Sequence, residues 1–201
     1  MTTFAAMEVL VVAQTRRPEV PLVTQAAIRT ATLRAHHTDS FPRDLASGLL
    51  TYTPYSSAGS YDFPSVSATL PRVRSFQLVQ SVDTVTSAPV ETLEYRELQD
   101  LYTADNVQRL SMYTLIGDTL RVYPQSATGS LLAYYYSNPV TTSEGYSSWI
   151  ADTYPDELAM WAAAIVFART GFAEMAADFQ RTHVQPFKEL LVASHLLVNA
   201  N

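Results

Sequence analysis

Apolar residues at the start of the chain recur at helical spacing. Phe4, Met7, Val11 and Val12 share one face of a helix over residues 3–15, with Thr3 placed to cap its free amides and Pro18 marking its end. A second helix is predicted from about Thr24 to His37. There Ala27, Ile28, Ala31, Leu33 and Ala35 form a small-residue stripe behind a Thr24 cap. The segment from Arg16 to Val23 would join the two as an antiparallel hairpin.

From about Phe41 to Val90 the pattern shortens to alternation. Leu49–Tyr55 and Val73–Val79 read as strands, and Ser56–Ser60 as a loop tip. Pro54, Pro64, Pro71 and Pro89 cannot donate to a ladder, so the strands between them are expected to be short or at an edge. Glu91–Tyr102 returns to helical character. Leu110–Ile116 and Thr119–Tyr123 flank Gly117-Asp118, a pair that tolerates the positive φ of a primed hairpin turn. Pro124–Gly129 reads as a further turn. A strand follows over Leu131–Tyr136, with Leu131, Ala133 and Tyr135 on one face and Leu132, Tyr134 and Tyr136 on the other. Both faces are apolar or aromatic, so both are expected to be covered.

The chain closes on helices. Pro155, Asp156 and Glu157 form a helix start, and Leu158, Trp161, Ala162, Ile165 and Phe172 follow at helical intervals. Beyond Gly171 a second apolar run carries Phe172, Met175, Phe179, Phe187, Leu190, Leu191 and Leu197, with Pro186 kinking it or starting a new helix. The fold class expected is α+β: a helical bundle from the N-terminal and C-terminal helices with an inserted antiparallel β region. The chain reads as a single domain over 1–201. It is helical over 1–40, β-rich over 41–140 with one helix near 91–102, and helical again over 150–198.

Composition narrows the function. Apolar residues make up 47% and charged residues 16%, below the roughly 25% charge of ordinary soluble domains, which favours an oligomer. A net charge of -6 has the wrong sign for a protein that grips phosphates, so DNA is not expected to be bound specifically. Cysteine is absent, which removes disulfides, thiolate metal sites and a cysteine nucleophile. The longest apolar stretch, Leu158–Ala168, is bounded by Glu157 and Arg169 and falls short of the ~20 residues of a bilayer span. No membrane anchor is expected. Met1–Val12 lacks a basic leader and contains Glu8, so it reads as part of the fold and not as a signal peptide.

Candidate chemistry is sparse. His36 and His37 are adjacent, about 100° apart on a helix, and cannot share a metal; they read as an exposed helix end. His183 stands four residues from both Phe179 and Phe187, as a packed or interface histidine. Glu91, Glu94, Glu97 and Asp100 recur every three residues and would line a wet helix face. They are also the one set that could be nominated for glycoside cleavage. Tyr134, Tyr135 and Tyr136 suit sheet packing or a subunit interface better than base stacking in so acidic a chain. Trp149 and Trp161 read as anchors, with Phe187 beside them as an interface candidate. No Gly-x-Ser-x-Gly elbow or phosphate loop occurs, and no catalytic residue, metal or cofactor is expected.

The order Tyr113-Thr-Leu-Ile-Gly-Asp-Thr-Leu-Arg-Val-Tyr-Pro124, then Leu132-Ala-Tyr-Tyr-Tyr-Ser-Asn-Pro139, then Trp149-Ile and Tyr154-Pro-Asp-Glu-Leu158 before an alanine-rich helix, resembles phage head-to-tail adaptors of the tail tubular protein A type. The resemblance covers about residues 110–197. It implies a structural virion protein of the neck, assembled in the host cytoplasm as a ring of about twelve copies. Its partners would be itself, the portal protein and a tail or nozzle protein, with DNA passing through the lumen. The alternative from a different class is a virion-associated peptidoglycan hydrolase built on the residue 91–100 carboxylates.

Overall fold

Thr3 opens the first helix: its side chain accepts the Ala6 amide, and α1 runs Phe4–Thr15 to a left-handed Arg16 at φ 54°. The second helix, α2 (Pro21–His36), begins one turn before the expected Thr24. Proline suits the first helical position because no amide partner exists there, and Thr24 is buried inside the helix. Ser148 caps the short α4 (Trp149–Thr153), and Pro155 starts α5 (Pro155–Arg169). A computed structural model describes residues 1–51, 61–63, 66–83, 86, 88–97, 99, 112–123 and 130–199. The chain divides into one unit of residues 1–44 and 138–201 and another of residues 45–137.

In the first unit α5 is central. Leu158, Ala159, Trp161, Ala162, Ala163, Ala164, Val166 and Phe167 are all buried, so the helix is covered nearly all round, as a uniformly apolar helix must be. Both α1 and α2 pack on it, and its alanines keep their backbones close. Phe4, Met7, Val11, Ile28 and Leu191 complete the core. Each large side chain so buried contributes about 1.5–3 kcal/mol.

Beyond α5 the helical path breaks. Gly171 takes φ 87°; α6 (Ala173–Phe179) leads through a π turn (Gln180–Val184) into α7 (Gln185–Asn199). Pro186 lies at the second position of α7. Its ring excludes the hydrogen bond to the fourth residue back, and the wider turn absorbs that loss. Of the apolar run predicted here, Phe187 and Leu191 are buried, while Phe172, Met175 and Leu190 are exposed.

The second unit carries a seven-stranded sheet among the described residues: β1 (Leu45–Thr51), β2 (Tyr61–Phe63), β3 (Val73–Val82), β4 (Pro89–Tyr95), β5 (Met112–Ile116), β6 (Thr119–Tyr123) and β7 (Ser130–Ser137). Their spatial order is β1-β7-β3-β4-β5-β6-β2. The predicted hairpin forms with Ile116 opposite Thr119. Only Gly117 has positive φ there, 62°, the sign pattern of a type II′ turn. Its neighbour Asp118 caps the one-turn helix α3 (Val66–Thr69): the carboxylate accepts the Ser67 hydroxyl at 2.7 Å and amide at 3.0 Å. These bonds hold Asp118 below the usual carboxylate range.

The α+β class stands, but a helical bundle with an inserted antiparallel β region does not. The sheet is mixed, because β4 and β5 run parallel. Parallel neighbours need a long connection instead of a tight turn, and residues 96–111 supply one. The helices gather around α5 and break repeatedly instead of running as a bundle of long antiparallel rods. The helix expected near 91–102 is corrected over its first part: residues 89–95 form β4, paired with β3 on one side and β5 on the other, whereas Gln99 is helical and residues 98 and 100–102 lie outside the described residues. The expected loop at Ser56–Ser60 and turn at Pro124–Gly129 lie outside the described residues.

Two measurements follow from this packing. Trp161 is 2% exposed and meets Phe187 edge-on at 6.3 Å, so Trp161→Ala is expected to cost ~3–5 kcal/mol in chemical denaturation; an unchanged midpoint would place the ring outside the core. Burial pushes the phenols of Tyr146 and Tyr113 above their ordinary value of 10.0. The unfolded chain then releases these protons first, so stability is full below pH 10 and falls as pH rises beyond it. Denaturant melts between pH 9 and 11 are expected to show this decline, and a shallower one in Tyr146→Phe.

Candidate functional site

His36 ends α2 with its ring turned inward, 2% exposed. The expected exposed pair is thus corrected for this residue, because the last turn of α2 lies against α4 and the ring is held by Asp44 and Ser148. His37 remains exposed, with Nε2 2.7 Å from Asn138 Oδ1. A carboxylate can only accept, so His36 Nδ1–H donates to Asp44 Oδ1 at 2.8 Å. The Trp149 indole N–H donates to the same oxygen at 2.8 Å. His36 Nε2 lies 2.9 Å from Ser148 Oγ, which also accepts the Ala151 amide at 3.2 Å as the cap of α4.

Serine, histidine and aspartate stand here in the sequence of contacts of a hydrolytic relay. Burial argues against that use. Ser148 is 4% exposed, its oxygen is engaged by the helix it caps, and the imidazole has no open side from which to serve a substrate. What the arrangement does is satisfy a buried carboxylate and lock three segments together: the end of α2, the turn at Pro42–Asp44 and the start of α4. Residues 36 and 148 are 112 apart in sequence, which no local pattern reports.

The other sequence candidates fall in separate places. Trp149 is half-buried, edge-on to His36 at 5.7 Å and to Phe41 at 5.3 Å, with the Arg43 guanidinium 5.2 Å from its ring. Trp161 and Phe187 pack together in the first unit's core. His183 is half-buried in the π turn, its ring 5.1 Å from Phe179.

Tyr134 and Tyr136 belong to the second unit, on a sheet face that the described residues leave partly exposed. Leu131, Ala133 and Tyr135 are buried as expected for one face of β7, while on the opposite face the described residues leave Leu132, Tyr134 and Tyr136 half-buried. Tyr136, Tyr134 and Leu132 lie opposite Leu45, Ser47 and Leu49 of β1 and opposite Ser75, Leu78 and Gln80 of β3. Leu45 and Leu49 are 39% and 47% exposed. This is a contiguous apolar and aromatic surface edged by polar side chains, the composition of an association site.

The carboxylates proposed for glycoside cleavage do not converge. Glu91 and Glu94 sit three apart on a strand and so project to opposite faces. Glu94 pairs with Arg96 at 2.9 Å, Glu97 is exposed, and Asp100 lies outside the described residues. Among the described residues no cluster of three or more His, Asp or Glu could hold a metal, and no helix is long and apolar enough to cross a membrane.

A family model described as SU10 adaptor protein matches residues 8–193. The chain belongs to this family. No curated protein matches it. The match spans both units of the adaptor, well beyond the residues 110–197 that carry its sequence resemblance to phage head-to-tail adaptors. The family is structural, and its members are phage proteins, which makes this adaptor a virion component.

The buried network makes a graded prediction. Asp44→Ala strands the His36 and Trp149 donors and is expected to destabilise by ~3–5 kcal/mol. Ser148→Ala loses a helix cap and one bond to His36, at ~1–2 kcal/mol. Equilibrium urea unfolding of both variants measures the order; equal losses would show that the carboxylate is not the hub.

Proposed function

We propose that this adaptor forms a ring of about twelve copies that joins the portal to the tail or nozzle and surrounds the channel through which DNA leaves. The family match over residues 8–193 carries this reading. The partly exposed face of β1, β7 and β3 supports it, because a monomer with Leu45 and Leu49 exposed beside half-buried Tyr134 and Tyr136 gains by covering them. We assign that face to lateral contact between copies, with Tyr134 and Tyr136 as its aromatic anchors. Trp149, held by Asp44 and stacked by Arg43, is placed to brace an axial contact with the portal or tail protein. The net charge of -6 suits a lumen from which DNA slides without sticking. Assembly takes place in the host cytoplasm, before the particle is complete.

Imaging of assembled particles tests this directly: a closed ring of the chain between portal and tail is expected, and its absence from the neck would refute the assignment. Paired Leu49→Asp and Tyr134→Asp substitutions are expected to reduce ring formation at least tenfold, about 1.4 kcal/mol or more per contact. Both side chains are at least partly exposed, so the isolated subunit should melt within about 2 kcal/mol of wild type. Rings formed at full yield by that variant would remove the sheet face from the lateral contact.

A further inference from the structure

Lys188 is the only lysine in the chain. It is the fourth residue of α7, half-buried, with its ammonium 5.1 Å from the centre of the Trp161 ring. Arg34 and His37 from the end of α2, Thr38 beyond it and Gln180 at the start of the π turn line the same cavity, which has a volume of about 530 Å³. Among the described residues no aspartate or glutamate lines it. Acids close by in sequence are engaged elsewhere: Asp39 with His195 at 2.8 Å, Glu189 with Gln185 at 3.2 Å and Asp178 with Arg181 at 3.0 Å. A chain of net charge -6 thus sets two permanent cations and three polar side chains around a recess free of acid. Like charges sharing a recess repel, and an incoming anion relieves them.

We propose that this cavity receives an aspartate or glutamate side chain of a second copy of the chain, forming a charge contact between neighbours in the ring. The inference rests on the ring reading given above and adds a partner group and a site to it. Double-stranded DNA fits the recess poorly: phosphates are gripped by a stripe of cations along a surface, whereas here the charge sits in a pocket on an acidic body. A single carboxylate needs only the local field, since charges beyond ~8 Å are screened at physiological salt. The excess acid of the chain supplies the complementary group, and in a head-to-tail ring every copy presents both halves of the contact. Trp161 and the aliphatic stem of Lys188 give the recess an apolar wall that shields the pair from water.

Carbodiimide joins an ammonium to a carboxylate in direct contact, and the chain's single lysine makes the readout specific. Particles are assembled from mixed unlabelled and ¹⁵N-labelled adaptor, cross-linked and analysed by peptide mass spectrometry. The expected product joins Lys188 of one copy to an aspartate or glutamate of another. Lys188→Glu is expected to lower ring yield at least tenfold with the subunit's melting temperature unchanged, and Lys188→Arg to retain it. Replacing the cross-linked acid with lysine in the Lys188→Glu background is expected to restore assembly. The proposal is overturned if Lys188 in the ring is acetylated as readily as in the free subunit. It is equally overturned if Lys188 joins an acid of its own copy or of another protein, or if duplex DNA protects it in the free subunit. Rings present with Lys188 unprotected would sink the cavity contact and leave the adaptor reading standing; particles without any ring of this chain would sink both.

Discussion

A carboxylate buried at 5% exposure must be surrounded by donors or it destabilises the fold. Asp44 meets that requirement with donors from distant parts of the chain: the imidazole of His36 and the indole of Trp149. It is also the last residue of the helical unit before β1 begins. The polar bond network therefore fixes the point where the chain leaves its helices. Ser148 extends the network to the cap of α4, so that the residues returning from the sheet are tied to those that entered it. An apolar contact would bury comparable surface without specifying orientation; hydrogen bonds do specify it, because each donor has one direction.

The two units solve burial differently. The helical unit places an almost wholly apolar helix at its centre and covers it with α1, α2 and α7. On one face of the sheet Val79, Leu93, Leu120, Leu131, Ala133 and Tyr135 turn inward. The other face keeps Leu45 and Leu49 exposed and Tyr134 and Tyr136 half-buried among the described residues. Low charge over the chain as a whole points the same way, since surface that is not charged is available for contact. Ser47, Ser75 and Gln80 stand among the apolar groups of that face.

A net charge of -6 coexists with the cationic recess lined by Arg34 and Lys188. Several arginines outside the recess are engaged by near neighbours. Arg17 stacks on Phe172 and pairs with Glu19, Arg43 covers Trp149, Arg96 meets Glu94 and Arg181 meets Asp178. Exposed pairs of this kind contribute little to stability, ~0–1 kcal/mol each.

Period and punctuation in the sequence sufficed for those elements whose signals are local. Thr3 capped α1, Pro155 opened α5, and Gly117-Asp118 turned the β5–β6 hairpin, because each depends on residues within one turn of itself. The family was legible as well, in the order of motifs from Tyr113 to Leu158. Residues 89–95 show where local signals fail: a run of Glu and Leu with helical spacing became β4 because strands on both sides offered ladder partners, and pairing outweighs weak propensity. His36 was misplaced for the same kind of reason. Nothing within four residues of it announces a buried carboxylate eight positions on or a serine 112 positions on. The recess at Lys188 likewise draws on α2, α5, the π turn and α7, so it exists only once those helices are packed. Local sequence determined the helix caps, the hairpin and the family. Tertiary structure alone decided which polar groups met, because those meetings depend on distances in space that no spacing along the chain encodes.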